Sequence, residues 1–323
     1  MRSLIFTLFL ASFSVAQAAQ ITKTTFAFPG RVEIHVQPQV SELDVLFVID
    51  DSGSMSEHQK NLITNIPALT KAALKNGVHV HAGVTTTTMD CTYGGICAGK
   101  FNGANKIADS NSPDFLTTLA TNLNVNTNGS ANERPFDATI AALSEPALSQ
   151  DHPGFLRSNA HLAVVLLTDA GDQSSPHVTP EIFSNFLKAL KPNPNQVTVA
   201  AIQVLANDKS CMTSEDQNDR IETAVKLLNG KIINLCAQDY GNQLGQLGAG
   251  LVGQVTQEIP LTTAPDVSSI VVTFGSTTLI AGDMHYGWVY DSVKNAVILG
   301  SKIDWSKMSG EELVVSFIPK NWK

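Results

Sequence analysis

The sequence predicts an α/β protein: a doubly wound, mostly parallel sheet followed by a small all-β module. Three observations carry that expectation. Residues 45–49 and 162–167 are continuous apolar runs, ending in Asp50 and in Thr168-Asp169. Such runs are the pattern of strands buried on both faces. Between about residues 41 and 258, strand-like runs alternate with amphipathic helical stretches, the signature of parallel strands joined by crossover helices. Beyond Pro260 the helical pattern stops, and short β-rich runs sit between turn residues.

Residues 1–18 read as a secretory signal. Arg2 is the positive start, residues 4–15 are apolar, and Ala16-Gln17-Ala18 is a small-residue cleavage site. The apolar stretch is too short to span a bilayer, and no other segment is long enough. The mature chain is therefore expected to be exported, to periplasm or extracellular medium, with no transmembrane segment. Residues 19–40 form an N-terminal β segment, because Arg31 to Val36 alternate polar and apolar. This segment is expected to add a strand to the C-terminal module.

The main domain spans 41–258. Its first strand, 43–50, leads to a helix over 56–75 with apolar residues at Leu62, Ile63, Ile66, Leu69 and Ala73. Residues 78–84 form a strand that runs into four threonines. Residues 90–112, rich in Gly, Asn and Cys, read as a surface insertion. Ser112-Pro113-Asp114 reads as a helix start, with Ser as N-cap and Pro in the first turn. After a Gly/Asn loop, a helix is expected from Pro135 to about Leu148. The strand at 162–167 follows, then a helix at 180–190, a strand at 196–205, a polar loop at 206–218, and a helix at 219–228. A strand at 231–235 and a helix at 238–257 close the domain. The module over 260–323 has strands at 270–274, 286–290, 296–299 and 313–317.

Composition narrows the function. The 323 residues are 43% hydrophobic, enough for a sizeable core, and the formal net charge is −8. An acidic chain without a basic run is unsuited to nucleic acid. Four cysteines in an exported chain suggest disulfides. They allow three connectivities. The expected pairs are Cys91–Cys97, which bracket a short turn, and Cys211–Cys236. A zinc site is the rival, but no CxxC occurs and no His stands at ligand spacing from these cysteines.

The chemistry concentrates at strand ends. Asp50, Ser52 and Ser54 fall on one loop at a strand's carboxyl end, where open α/β sheets bind ligands. All are hard oxygen donors, suited to Mg²⁺, Mn²⁺ or Ca²⁺. Asp169 ends a second such strand.

The stretch from Phe47 through Asp50-Asp51-Ser52-Gly53-Ser54-Met55 resembles the DxSxS motif of von Willebrand factor type A (VWA) domains. Leu166-Leu167-Thr168-Asp169 resembles the TD element of that family, and the order of elements matches through about residue 257. Weaker similarity to a secreted bacterial subgroup lies in Gly83 to Thr87, Asp219-Arg220, Asn234-Leu235-Cys236 and Gly287 to Asp291. The resemblance implies a metal-ion-dependent adhesion site. Ser52 and Ser54 would ligate a divalent cation, Mg²⁺ foremost, with Mn²⁺ or Ca²⁺ as alternatives. Asp50 and Asp169 would act mainly through water or by orienting ligands. Largely neutral direct ligands leave the cation electrophilic, and its open position takes a partner's carboxylate. The partner would be a protein or cell-surface ligand offering an acidic residue.

The sequence departs from the family at its third element, a threonine before a helix. That place falls at Glu133, with Ser130 a looser option, and Thr139 lies inside the helix. Glu133 is either a ligand that lowers the site's positive charge or a solvated carboxylate at a helix N-terminus. Asp51 is expected to be a solvated neighbour rather than a ligand. Asp172 is a rim residue or a surface acid. His79 and His81 share one strand face but show no third ligand, so ordinary partly buried histidines are expected. The acids and amides between Asn207 and Asp219 fit no EF-hand spacing. Tyr93, in the disulfide loop, is a candidate contact residue. No GxSxG, HExxH or P-loop is present, and His58 beside Ser52 and Ser54 has no third group to orient it. A non-enzymatic binding protein is the expectation. The alternative is a structural or assembly protein of the cell envelope, in which the metal only pins loops and the β tail makes the contacts.

Overall fold

The computed structural model describes residues 23–28, 30–36, 42–75, 78–158, 160–192, 194–205, 218–228, 230–237, 239–255, 258–283, 286–300 and 312–321. The chain is mixed α/β. In order, its elements are β1 (Lys23–Phe28), β2 (Arg31–Val36), β3 (Glu42–Ile49), α1 (Ser56–Lys75), β4 (His79–Thr86), β5 (Ile107–Asp109), α2 (Phe115–Leu123) and α3 (Pro135–Ala142). There follow β6 (His161–Thr168), α4 (Pro180–Ala189), β7 (Val197–Gln203), α5 (Arg220–Leu227), β8 (Lys231–Asn234) and α6 (Tyr240–Val255). The last strands are β9 (Glu258–Pro260), β10 (Val271–Phe274), β11 (Thr277–Thr278), β12 (Trp288–Asp291), β13 (Ala296–Leu299) and β14 (Leu313–Phe317).

The central sheet runs β5-β4-β3-β6-β7-β8. Its strands pair in parallel except β5, which joins the edge antiparallel. Apolar cores lie on both faces, and this explains the unbroken apolar runs. Val45, Phe47 and Ile49 of β3 pack with α1, α2 and α6. Leu46 and Val48, pointing the other way, pack with α3, α4 and α5. The side-chain period of two hands alternate residues to opposite cores, so both must be apolar. From β3 the chain steps outward to β4, and from β6 it steps the other way to β7. The strand order reverses between β3 and β6, and their carboxyl ends flank the crevice where such sheets take ligands.

Two antiparallel sheets, β1-β2-β14-β10-β11 and β12-β13-β9, contain the remaining strands. They share a third core built from Ile34, Ile259, Val272, Trp288, Val297 and Val315 among others. The expected N-terminal strand is a hairpin, and β2 pairs with β14 near the other end of the chain.

Several local expectations need correction. The helix expected at Ser112-Pro113 starts at Phe115, with Asp114 at the cap position and the Ser112 hydroxyl donating to its carboxylate at 2.5 Å. The helix from Pro135 stops at Ala142, and a π turn follows over Ala147–Asp151. Pro146 has no N–H to continue an α-helical ladder. The expected insertion at 90–112 contains the edge strand β5. The expected Cys91–Cys97 disulfide is present. Cys236 is also disulfide-bonded, while Cys211 lies outside the described residues. The signal segment and the polar loop at 206–217 lie outside them as well.

Candidate functional site

The β3–α1 loop turns sharply because Asp50 binds its own backbone. Its Oδ1 accepts from the Ser52 amide at 2.8 Å, an Asx turn that swings the serines over the strand end. Its Oδ2 accepts from the Thr168 hydroxyl at 2.7 Å, fixing the ends of β3 and β6 to each other. The Ser52 and Ser54 hydroxyl oxygens lie 3.3 Å apart. Asp50 is fully buried, Ser52 nearly so, and Ser54 exposed. Gln59, one turn into α1, donates to the carbonyls of Asp50 and Asn126, both at 2.9 Å, and so ties this loop to the one before α3.

That second loop is held through Asp51. Thr88 donates its hydroxyl to Asp51 Oδ1 at 2.8 Å and accepts from the Ser130 amide at 2.8 Å. Gly129 donates its amide to the Asp51 carbonyl at 2.8 Å. A Cβ at Gly129 would stand 2.2 Å from the Asp51 carboxyl carbon, so only glycine lets the loop approach. Asp51 is therefore not the solvated neighbour expected from the sequence; it is 2% exposed and joins three loops. Ser130 is buried too, and its hydroxyl accepts from the Asn132 amide at 3.0 Å.

Glu133 is not a solvated carboxylate either, at 5% exposed. Its backbone is clamped on both sides: its carbonyl accepts from the Gln173 amide at 2.8 Å, and the next amide, Arg134, donates to Thr87 at 3.3 Å. Its side chain shares an acidic cluster with Asp50, Asp169 and Asp51. Burial, then the Asp50 charge, pushes the Glu133 carboxyl up to about 7. Burial pushes Asp50 up to about 6 against the bonds from Ser52 and Thr168, and Asp169 adds to the rise. Asp169 is itself 3% exposed. Carboxylates crowded at low exposure raise one another's proton affinity, and bound positive charge relieves the same repulsion.

The structure thus brings together Asp50, Ser52, Ser54, Glu133 and Asp169, with Asp51 and Ser130 supporting. Asp172 is not a surface acid. It is 2% exposed and accepts from Ser174 Oγ at 2.5 Å and Arg220 Nε at 2.7 Å. Thr139 stays within α3, its hydroxyl on the Pro135 carbonyl at 2.6 Å. Tyr93 is half exposed on the disulfide turn. Sequence reasoning missed the roles of Thr88, Gln59 and Gly129. The one available signal was the run Thr85 to Thr88, which continues a strand adjacent to β3. Beside the site, Gln59, Lys60, Asn124, Asn126, Thr127 and Asn128 line a polar cleft of about 240 Å³.

A group of side chains that could hold a metal ion lies at the other end of the sheet. His79, His81 and Asp109 each offer a ligand atom, all within 4.8 Å of one another. Asp109 was invisible as their neighbour in sequence because it reaches His81 across strands, through the register of β5 on β4.

No family model matches the chain, and no curated protein matches it. Solved structures similar to it include the pilus adhesin SpaC of Lactobacillus rhamnosus GG in its open conformation, at 13% identity and TM-score 0.41, covering 91% of this chain and 42% of that one. A von Willebrand factor type A protein from Catenulispora acidiphila has 12% identity and TM-score 0.40, covering 90% of this chain and 61% of that one. Proximal thread matrix protein 1 from the mussel byssus has 14% identity and TM-score 0.43, covering 70% of this chain and 50% of that one. The chain thus spans less than two thirds of each. Likenesses this distant establish neither family nor function.

Proposed function

We propose that this chain is an exported VWA-type binding protein, with a doubly wound sheet, that captures an acidic partner through a divalent cation. The observation that carries the reading is the convergence of Asp50 and Asp169, at the ends of adjacent strands, with Glu133 and two serine hydroxyls. The donor set is all oxygen and suits a hard cation such as Mg²⁺, Mn²⁺ or Ca²⁺. Ser52 and Ser54 would bind it directly, Asp50 and Asp169 would orient the serines and bound water, and Glu133 would replace the family's threonine. The cation would supply an electrophilic position for a partner's carboxylate. Three acids against two positive charges leave less attraction for that carboxylate than a site with two. The adjacent Asn-lined cleft would then contribute hydrogen bonds to the partner.

Export is supported by the Cys91–Cys97 disulfide. Among the described residues no helix is long and apolar enough to cross a membrane. The protein acts by binding rather than catalysis in this reading; among the described residues no hydrogen bond joins His58 to Ser52 or Ser54. An envelope assembly role, with contacts made by the β-rich tail, has one observation in its favour: Ile280, Tyr286 and Val293 are exposed there.

The test is calorimetric titration of Mg²⁺, Mn²⁺ and Ca²⁺ into wild type, Asp50→Ala and Ser52→Ala, alongside capture from envelope extracts with cation or EDTA. Wild type should bind one cation at this site and lose its partner in EDTA; both variants should lose cation and partner while keeping the wild-type circular dichroism. Partner capture indifferent to EDTA and to both substitutions would sink the adhesion reading.

A further inference from the structure

We propose that His79, His81 and Asp109 form a second cation site, selective for a borderline transition metal such as Zn²⁺ and independent of the oxygen site at the opposite strand ends. His79 and His81 lie on one face of β4, two residues apart, with ring centroids 4.9 Å apart. Asp109 is the register partner of His81 on the edge strand β5. Its carboxylate divides between the rings: Oδ1 is 2.8 Å from His79 Nε2, and Oδ2 is 3.5 Å from His81 Nε2. Oδ1 is also anchored by the Asn111 amide at 2.8 Å. The register pairs Glu42 with His79 and Ile49 with Thr86, so seven residues of strand separate the two sites. At the rise of a strand that is about 23 Å.

The distances suit a small contraction onto a metal. Tetrahedral zinc with Zn–N and Zn–O near 2.0–2.1 Å has ligand atoms about 3.3 Å apart. Ligand atoms that already lie within 4.8 Å need only modest side-chain rotation to reach that spacing. Burial, then the Arg157 guanidinium, holds His81 below the usual imidazole range. The side chains of His79, His81 and Asp109 are 18%, 15% and 40% exposed, which gives the metal an entry path and leaves a fourth position for water or an anionic donor. Two imidazoles and one carboxylate select Zn²⁺, Ni²⁺ or Cu²⁺ over Mg²⁺ and Ca²⁺.

Binding requires a change of tautomer at His79. Arg157 Nη1 donates to His79 Nδ1 at 2.9 Å, so in the metal-free protein Nε2 carries the proton and donates it to Asp109. A metal on Nε2 moves the proton to Nδ1; Arg157 Nη1, 2.9 Å from that atom, must then swing away, and Glu42 Oε1 must close from 3.7 Å to accept the proton. A carboxylate behind a metal-bound imidazole is the usual support for such a ligand. Arg157 is not stranded by the change, because it also donates to Asp44, Glu42 and the Leu43 carbonyl. His81 Nδ1 is buried with no hydrogen-bond partner among the described residues, which limits the affinity.

The experiment is a Co²⁺ titration of the full chain in excess Mg²⁺, followed by visible absorption, with Zn²⁺ competition. Wild type should develop one equivalent of tetrahedral Co²⁺ absorption that Zn²⁺ displaces. His81→Ala and the near-isosteric Asp109→Asn should abolish it or weaken Co²⁺ at least about tenfold, and Glu42→Gln should weaken it about 10–100-fold. Asp50→Ala should leave it unchanged. Circular dichroism checks each variant, and Asp109→Asn carries the test if His81→Ala does not fold. No absorption in wild type, or absorption untouched by Asp109→Asn, overturns the proposal. Loss in Asp50→Ala overturns it too, by placing the metal in the oxygen site.

Discussion

At the scale of single residues, the oxygen site depends on side chains that never touch a cation. Asp51 and Gly129 are the clearest case. The close approach of the α3-preceding loop exists because residue 129 has no Cβ to meet the Asp51 carboxylate at 2.2 Å. Gly129→Ala should therefore displace Asp51 from Thr88 and cost about 1–3 kcal/mol, the range for forcing atoms into a filled space. The same variant should weaken Mg²⁺, because Glu133 rides on that loop. A urea midpoint and a Mg²⁺ titration on the same sample check both, and wild-type values for each would show that the loop is not held this way. Titration gives a second residue-scale prediction. Asp50 and Glu133 have folded values of about 6 and about 7, above the ordinary carboxylate values of about 3.9 and 4.3. A raised folded value means that the native state holds protons the unfolded chain has released. Their contribution to stability is complete below about pH 4 and is lost as pH rises through 6 and 7. The cation-free protein should lose stability on the order of a few kcal/mol across that window. Mg²⁺ reverses the trend by binding the ionised form, so its melting shift should be larger at about pH 8 than at about pH 5. Thermal melts with and without EDTA at both values measure this. Of these residues, Asp50, Ser52, Ser54 and Asp169 were legible as chemistry, because acids and hydroxyls break apolar strands abruptly. Asp51 and Asp172 were not: a buried acid and a solvated one are the same letter until Thr88 or Arg220 is seen beside it.

At the scale of elements, the amino end of the central sheet is held by one buried charged cluster. Asp44 of β3, fully buried, accepts from Arg157 Nε at 2.7 Å, from the Arg157 amide at 2.8 Å, and from Lys191 Nζ at 3.4 Å. Lys191 follows α4 and also donates to the Arg157 carbonyl at 2.6 Å. The cluster fastens β3, the segment before β6, and the end of α4. Burial raises the Asp44 carboxyl, and burial lowers the Lys191 ammonium, each opposed by its partner's charge. Asp44→Ala leaves Lys191 without its counter-charge and Arg157 with Glu42 alone, and should cost about 3–5 kcal/mol. The double change Asp44→Leu with Lys191→Met should recover a good part of that, since an apolar pair does not need solvating. Urea unfolding of the three chains decides it, and a double variant no better than Asp44→Ala would show that the cluster is worth more than its desolvation. Nothing in sequence announced this cluster, because its members are 113 and 147 residues apart from Asp44 along the chain. The elements it fastens were legible. β3 and β6 stand out because two-sided burial demands unbroken apolar runs, and α1, α4 and α5 because their apolar faces repeat at helical spacing. The three-residue strands β5 and β9 were missed, since so short a run carries no period. Their existence depends on a neighbour's free edge.

At the scale of the whole molecule, the two ends of the chain are one structural unit by strand pairing. β2 lies between β1 and β14, with Ile34 opposite Val315, and both residues belong to the core that holds Val272 and Trp288. The central sheet has its own two cores, to which no residue of β2 or β14 belongs. Removing residues 258–323 alone should thus be worse than removing more. It would leave β2 with an open edge and expose Val32, Ile34 and Val36, which are 6%, 0% and 6% exposed in the intact protein. An apolar strand with an unpaired edge recruits other chains. The chain 19–257 should accordingly give less soluble protein than the shorter chain 42–257, which discards the hairpin as well. The shorter chain should retain cation binding, because every residue of the oxygen site and every bond that positions it lies between Asp50 and Gln173. Soluble yield, elution volume and a Mg²⁺ titration on the two truncations measure this. Equal solubility would mean that the hairpin tolerates its open edge, and loss of cation binding from the shorter chain would mean that the β-rich ends support the site. If the shorter chain binds Mg²⁺ yet captures no partner, the contact surface lies in the tail, and the cation only pins loops.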